Sequence, residues 1–253
     1  MPDPAPLDVL AFAAHPDDVE LSAGGTMCLL QSQGYRTGIV DFTRGELGTR
    51  GTPEVRAAES ARASEILGLA SRDNLGLPDG DIPNTAEARR GLIRLVRRYR
   101  PRIVLINAPD DRHPDHPAAA RLSSDALFYS GLARIETRDG DELQGPWRPD
   151  HVLHYMQSIP FEPSFVVDVS GVWERRVAAL AAFASQFSVP GQAASGDEPE
   201  TFISSPAFFE WVEARARTYG YRIGAAYGEP LLYRHGPVGV DDLVAALGRG
   251  GRR

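Results

Sequence analysis

The sequence contains no lysine and only one cysteine, Cys28. Arginine therefore supplies all of the fixed positive charge on side chains, and its planar guanidinium can bind a carboxylate through two hydrogen bonds. A single cysteine excludes a disulfide within the chain. Because Cys28 lies between apolar neighbours, we expect a buried packing residue and assign it no chemistry.

The sequence also lacks a long apolar segment. No N-terminal stretch resembles a signal peptide, and none reaches the roughly 18 residues that span a membrane, so a cytoplasmic location is expected. The net charge of -7 disfavours binding to nucleic acid or to a membrane, because both present negative charge. A small molecule is the expected partner.

Short apolar runs alternate with helical patterns, as is typical of βαβ units. The predicted strands cover residues 9–14, 37–42, 103–106, 151–156 and 165–169. The first predicted helix ends at residue 33. The other predicted helices cover residues 53–67, 86–99, 117–129, 172–187 and 206–219. Thr52 is the predicted N-cap of the second helix, with Pro53 at its first position and Gly68 beyond its end. No internal repeat is present.

These elements predict an α/β fold: a three-layer α/β/α, Rossmann-like, doubly wound arrangement around a mostly parallel sheet. The 253 residues are expected to form one domain over positions 1–253, within the usual size range. The metal-binding clusters lie in residues 1–130, and residues 150–253 are expected to complete the sheet and the rim of the site.

Two short clusters follow predicted strands. Ala14-His15-Pro16-Asp17-Asp18 follows the first strand, and His113-Pro114-Asp115-His116 follows the strand at 103–106. In doubly wound sheets these two strands are neighbours where the strand order reverses, and ligands bind at their carboxyl ends. His and Asp ligands, an open coordination position and a nearby base are what metal-assisted hydrolysis requires.

Each cluster alone has a simpler explanation, in which Asp17, Asp18 or Asp115 caps the helix that follows. The occurrence of both clusters at strand ends favours a catalytic site. The first strand is not followed by the glycine-rich turn of a dinucleotide site. His151 and His154 are predicted on opposite faces of one strand, where they cannot share a metal, and His235 is assigned no role.

Both clusters resemble those of the zinc-dependent N-acetylglucosaminyl deacetylases, the PIG-L/LmbE-like family. The resemblance continues through Thr43-Arg44-Gly45-Glu46, Arg56, Asn74-Leu75-Gly76-Leu77-Pro78-Asp79, Arg112 and Ser185-Gln186-Phe187. It implies that His15, Asp18 and His116 bind Zn²⁺ and that Asp17 is the general base. Fe²⁺ is compatible with the same ligands.

The chemistry gives the remaining residues of the clusters a function. Asp17 would take a proton from the attacking water and return it to the leaving amine. A cationic His113 would stabilise the oxyanion, and Asp115 would orient the His113 imidazole and keep it protonated.

The details are most similar to the bacillithiol branch, whose substrate is N-acetylglucosamine linked to malate. Arg56, Arg112, Arg148 and Glu46 are the candidate substrate-binding residues. Residues 47–51 depart from the Ser/Asn-rich loop of that branch, which leaves the group attached to the sugar open. The alternatives are a deacetylase of chitooligosaccharides or other N-acyl sugars, and a non-catalytic or regulatory metal-binding protein.

The resemblance also suggests a homo-oligomer, such as a hexamer, in which Arg148 reaches a neighbouring site. Residues 190–200 form either a mobile flap or a disordered excursion.

Overall fold

The computed structural model describes residues 5–242. Its strands are β1 (Val9–Ala13), β2 (Thr37–Asp41), β3 (Ser71–Asn74), β4 (Ile103–Ile106), β5 (Arg138–Asp139), β6 (Glu142–Leu143), β7 (His151–Tyr155), β8 (Phe165–Asp168) and β9 (Gly228–Tyr233). Seven of them form one sheet in the order β3-β2-β1-β4-β7-β9-β8, and β5 and β6 form a separate hairpin. The run from β3 to β7 is parallel, whereas β9 is antiparallel to both of its neighbours.

The helices are α1 (Asp18–Ser32), α2 (Pro53–Leu67), α3 (Ala86–Tyr99), α4 (Asp115–Ser130), α5 (Trp173–Ala181) and α6 (Pro206–Arg222). Alternate side chains of β1 pack on opposite faces of the sheet. Leu10 and Phe12 share an apolar cluster with α3 and α4. Ala11 and Ala13 share another with α1 and α5. The predicted three-layer, mostly parallel fold is therefore confirmed.

Local sequence signals account for several element boundaries. The predicted bounds of α2, α3 and β4 are confirmed. At the start of α2 the Thr52 side chain accepts a hydrogen bond from the Val55 N–H, at 3.3 Å. Gly68 ends this helix with φ 65°, a left-handed conformation that costs glycine little. The other predicted strand ends and helix ends move by one to three residues, except in α5.

The helix predicted at 172–187 is wrong in its second half, because α5 ends at Ala181. The chain turns away where it binds the Glu59 side chain of α2 and the backbone of the loop before α2. The Ser185 N–H and hydroxyl both donate to the Glu59 carboxylate, at 2.6 and 2.8 Å. The Gln186 side-chain amide donates to the Arg50 carbonyl, at 2.6 Å. These tertiary bonds replace the last turns of the predicted helix.

The sequence did not predict β3, β9 or the β5–β6 hairpin. Strand β3 reads Ser-Arg-Asp-Asn and has no apolar side chain. Strand β9 contains Pro230, which argues against a central strand, yet β9 lies between β7 and β8. Together with β7 and β8, strand β9 completes the sheet with residues from the C-terminal part of the chain.

The predicted single domain at 1–253 includes residues 1–4 and 243–253, which lie outside the described part. Within residues 5–242, no helix is both long enough and apolar enough to cross a membrane. Cys28 is buried, as expected from its neighbours.

Candidate active site

The two predicted clusters meet at one edge of the sheet. Strands β1 and β4 are parallel neighbours, with Val9 opposite Ile103, so the loops after them leave from the same side. Both loops line a cavity of about 410 Å³. Its other wall is apolar and includes Leu21, Phe187, Ile203 and Phe208. The cavity therefore combines a polar, ionisable floor with an apolar wall.

Asp17 has an unusual backbone conformation for a residue other than glycine, with φ 114°. It occupies the N-cap position of α1, but its side chain makes no capping hydrogen bond. Instead, Arg56 Nη2 donates to Asp17 Oδ2 at 2.8 Å, and the same nitrogen donates to the Pro16 carbonyl. The helix-cap alternative for Asp17 is therefore wrong.

The environment of Asp17 suits proton transfer. Burial raises the pKa of the Asp17 carboxyl to about 7, against the opposing effect of the Arg56 guanidinium. A carboxyl group with a pKa near neutral pH can accept a proton and return it efficiently. Arg56 is itself buried, so this pair is shielded from solvent.

Asp18 contacts two of the predicted metal ligands. One of its carboxylate oxygens lies 3.7 Å from His15 Nδ1 and the other lies 3.1 Å from His116 Nε2. The side-chain amides of Asn107 and Gln157 also donate to it, each at 3.1 Å. Burial favours its neutral form, but the nearby His116 outweighs this effect and lowers the pKa of Asp18. The Asp18 carboxylate is therefore ionised and fixed in position, as binding of a cation requires.

The far nitrogens of both imidazoles bind carboxylates. His15 Nε2 lies 3.0 Å from Asp79 Oδ1 and 3.2 Å from Asp115 Oδ2. Burial opposes the charged form of His15, but these hydrogen bonds outweigh it and raise its pKa to about 10. His116 Nδ1 is hydrogen-bonded to Asp111. Carboxylates in this position fix the orientation of metal-binding imidazoles.

The residues present fit a transition metal ion. His15, His113 and His116 bring ligand atoms within 4.8 Å of one another, and a second group of this kind consists of His15, Asp79 and Asp115. Imidazole and carboxylate are ligands that suit Zn²⁺ and Fe²⁺. His113 is thus a geometric alternative to Asp18 as the third ligand. The ligand set stays a prediction.

The structure corrects the predicted relation between Asp115 and His113. The Asp115 carboxylate contacts His15 and accepts the Gly80 N–H at 2.8 Å, rather than binding His113. The backbone N–H of Asp115 donates to His113 Nδ1 at 3.2 Å. Burial, with the neighbouring His15 and His116, lowers the pKa of His113. His113 is therefore held as a neutral imidazole with its proton on Nε2. Asp115 makes no side-chain cap for α4.

The predicted substrate-binding residues separate into two groups. Arg56 and Arg112 both line the cavity. Glu46 is exposed, and its carboxylate accepts the N–H groups of Arg44 and Asp79, each at 3.0 Å, so it braces the surrounding loops. Arg148 donates to the Phe128 carbonyl at 2.9 Å and is not brought to the cavity of its own chain. Its predicted reach into a neighbouring subunit stays a prediction.

Sequence reasoning missed several supporting residues. Asp79 stands out in the sequence only as part of a longer motif, and Asp111 precedes the second cluster by two residues. Gln157 follows β7, and nothing local singles it out. His154 is buried and is hydrogen-bonded to the Asn107 carbonyl at 2.7 Å, whereas His151 contacts the Tyr233 hydroxyl at 3.2 Å. These two histidines have separate partners, in keeping with the prediction that they do not share a metal.

Comparison with known proteins identifies the class of enzyme. The model of the PIG-L family, GlcNAc-PI de-N-acetylase, matches residues 10–127. Diacetylchitobiose deacetylase of Thermococcus kodakarensis is 31% identical over 194 residues, which cover 71% of this chain and 70% of that protein. The chain belongs to the PIG-L deacetylase family.

Other relatives differ in their named activities. A 4-oxalmesaconate hydratase of Pseudomonas putida is 29% identical, covering 70% of this chain and 73% of its own. A Bacillus cereus protein named probable N-acetyl-alpha-D-glucosaminyl L-malate deacetylase 2 is 28% identical, covering 70% and 83%. A conserved protein from Thermus thermophilus, known from its crystal structure, is 39% identical in sequence to this chain. The two structures match with a TM-score of 0.79 over 93% of this chain and 98% of the other.

Proposed function

We propose that this protein is a zinc-dependent hydrolase that removes the acetyl group from an N-acetylglucosamine conjugate. The observation that carries the proposal is the buried Asp17 carboxyl, with a pKa of about 7, beside a cluster of His and Asp ligands in one cavity. A base of this kind next to a metal site is what hydrolysis of an unactivated amide requires.

The metal would be held by His15, Asp18 and His116. When bound, it supplies Lewis acidity that activates water and polarises the amide carbonyl. Asp17 takes the proton of the attacking water and delivers it to the nitrogen of the leaving amine. Arg56 keeps the Asp17 carboxylate in place, at 2.8 Å. His113, whose Nδ1 accepts the Asp115 N–H, directs its Nε2–H toward the developing oxyanion as a neutral donor.

For the group attached to the sugar, we propose malate, as in bacillithiol biosynthesis. The support is the Bacillus cereus relative and an arginine, Arg112, that lines the cavity. A guanidinium can bind a carboxylate of malate through two hydrogen bonds. The second candidate substrate is a chitooligosaccharide, which the identity with the Thermococcus kodakarensis enzyme favours.

The decisive test measures free-amine release from three substrates at equal concentration: N-acetylglucosaminyl malate, N,N′-diacetylchitobiose and N-acetylglucosamine. Zinc-loaded protein is expected to act fastest on the malate conjugate. Faster release from diacetylchitobiose would replace malate by a sugar. Activity on none of the three would count against the proposal and favour a hydratase or a non-catalytic metal-binding protein.

Asp17→Asn tests the proposed base. The variant is expected to keep its zinc, since Asp17 is not in the proposed ligand set, and to lose at least about two decades in kcat because the amide cannot accept a proton. Metal content and kcat are measured on the same preparation. Retained turnover would exclude Asp17 as the base. Exposed Arg62, which pairs with Glu65, provides the control variant Arg62→Ala.

Reconstitution of the wild-type protein identifies the metal. Protein stripped of metal and reloaded with either Zn²⁺ or Fe²⁺, under anaerobic conditions, is assayed at matched occupancy. Both ions suit the donor set, and zinc is the proposed one.

A further inference from the structure

Phe202 is an exposed apolar side chain that contacts residues lining the cavity. Its exposed fraction is 63%, although its neighbour in sequence, Ile203, lines the cavity. One ring edge packs against Phe208, a buried residue of the cavity wall, with centroids 5.3 Å apart. The ring is therefore anchored to the wall while much of its surface faces solvent.

The guanidinium of Arg112 lies over the Phe202 ring. The Arg112 Cζ atom lies 5.1 Å from the ring centroid, a cation–π distance. Among residues 5–242, no carboxylate forms an ion pair with Arg112. The face of an aromatic ring orients a guanidinium without neutralising its positive charge. The N–H donors of the guanidinium stay available for a carboxylate.

The charged residues that line the cavity differ in burial, since Asp17 and Asp18 are buried and Arg112 is exposed. Asp17, Asp18 and Asp79 lie at the floor, where Arg56 is already paired with Asp17. Arg112, also lining the cavity, carries the charge that has no ionic partner there. For a substrate whose acetamido group lies beside the buried carboxylates, Arg112 is the cation of the cavity lining that is left to bind the rest of the molecule.

We infer that Phe202 is a positioning residue that holds Arg112, an exposed residue of the cavity lining, as the docking point for a carboxylate on the group attached to the sugar. This inference rests on the proposed deacetylase function and assigns a residue to its substrate preference. Phe202 acts through Arg112 and takes no part in the chemical step.

The test compares kcat/KM for an anionic and a neutral substrate, N-acetylglucosaminyl malate and N,N′-diacetylchitobiose. In zinc-loaded Phe202→Ala, kcat/KM for the malate conjugate should fall about twofold to fivefold, through KM, in line with an exposed cation–π contact. The value for diacetylchitobiose should stay unchanged. Phe202→Trp should restore the preference. Tyr221→Ala, which removes a highly exposed aromatic ring elsewhere, is the control.

A double-mutant cycle separates positioning from direct contact. Arg112→Gln should cause a similar selective loss, and adding Phe202→Ala to it should cost little more, because the two residues act as one unit. Three results would each overturn the inference. These are losses in kcat/KM that multiply in the double variant, equal losses on both substrates, and no loss in Phe202→Ala.

Failure of the proposed function gives a different result. If the wild type releases amine from neither substrate, calorimetry with glucosaminyl malate still tests the pair. Weaker binding by Phe202→Ala and Arg112→Gln than by the wild type would support the inference alone. Equal binding by all three proteins would overturn it as well.

Discussion

Asp17 combines a strained backbone with a buried carboxyl group. A φ of 114° in a residue other than glycine costs on the order of 1–3 kcal/mol, and such residues persist only where neighbours hold them. Arg56 provides that hold by binding both the Pro16 carbonyl and the Asp17 carboxylate. The strain is therefore located at the residue proposed to move the proton.

His113→Ala separates a role in catalysis from a role in binding metal. We expect zinc content to stay at the wild-type level and kcat to fall by about two to three decades, because one oxyanion donor is lost. Metal analysis and steady-state kinetics on one preparation measure both quantities. Loss of zinc would instead make His113 a ligand, as the grouping of three imidazoles allows. His151→Ala, whose partner is the Tyr233 hydroxyl, is the control.

Residue types in the site could be predicted from the sequence, but their contacts could not. The two clusters and their convergence follow from strand order alone. Which atom of Asp115 faces His113 depends on where α4 begins, two residues before the predicted start. That start presents the Asp115 N–H to His113 and turns its carboxylate toward His15.

At the scale of elements, α2 was predictable because its signals are local. The Thr52 cap, Pro53 and Gly68 are all read within one short segment. By contrast, α5 stops where Glu59, far away in sequence, binds Ser185. Strand β9 was not predictable from local signals either, because Pro230 argues against a central strand. Its pairing with β7 and β8, which are distant in sequence, makes this segment a strand. Long-range partners decide these boundaries.

One partly buried arginine joins α1 to the sheet. Arg72 of β3 binds Asp41 of β2 through two hydrogen bonds, at 2.7 and 2.9 Å, and Glu20 of α1 at 2.6 Å. Arg72→Met would leave two carboxylates buried without a cation. We expect the free energy of unfolding to fall by about 3–5 kcal/mol, measured by urea denaturation.

Neutralising the two carboxylates as well should recover much of this stability. The variant Arg72→Met with Glu20→Gln and Asp41→Asn is therefore the matched comparison. A loss below about 1 kcal/mol in Arg72→Met alone, as for an exposed pair, would show that the network contributes little.

At the scale of the whole molecule, the site is assembled from both halves of the chain. The N-terminal half supplies the ionisable floor, and residues 187–208 supply three apolar side chains of the wall. Arg50 connects them from the loop before α2. Its guanidinium donates to the carbonyls of Ser185, Ser195 and Pro199, at 2.8, 2.8 and 3.0 Å, and also to the carbonyl of Glu198. Residues 190–200 are thus bound to the loop beside the cavity rather than forming a free excursion.

Arg50→Ala should release this segment and loosen the wall. Without the guanidinium, four carbonyls lose their donor in a part of the chain that has no helix or strand to hold it, so local opening becomes easier. We expect protease cleavage within 190–200 to accelerate at least about fivefold and kcat/KM to fall. The zinc content should stay unchanged, because none of the proposed ligands comes from this segment. Limited proteolysis with mass mapping measures the first effect. Arg62→Ala is the control, and an unaltered cleavage pattern would mean that Phe187, Ile203 and Phe208 hold the wall by packing alone.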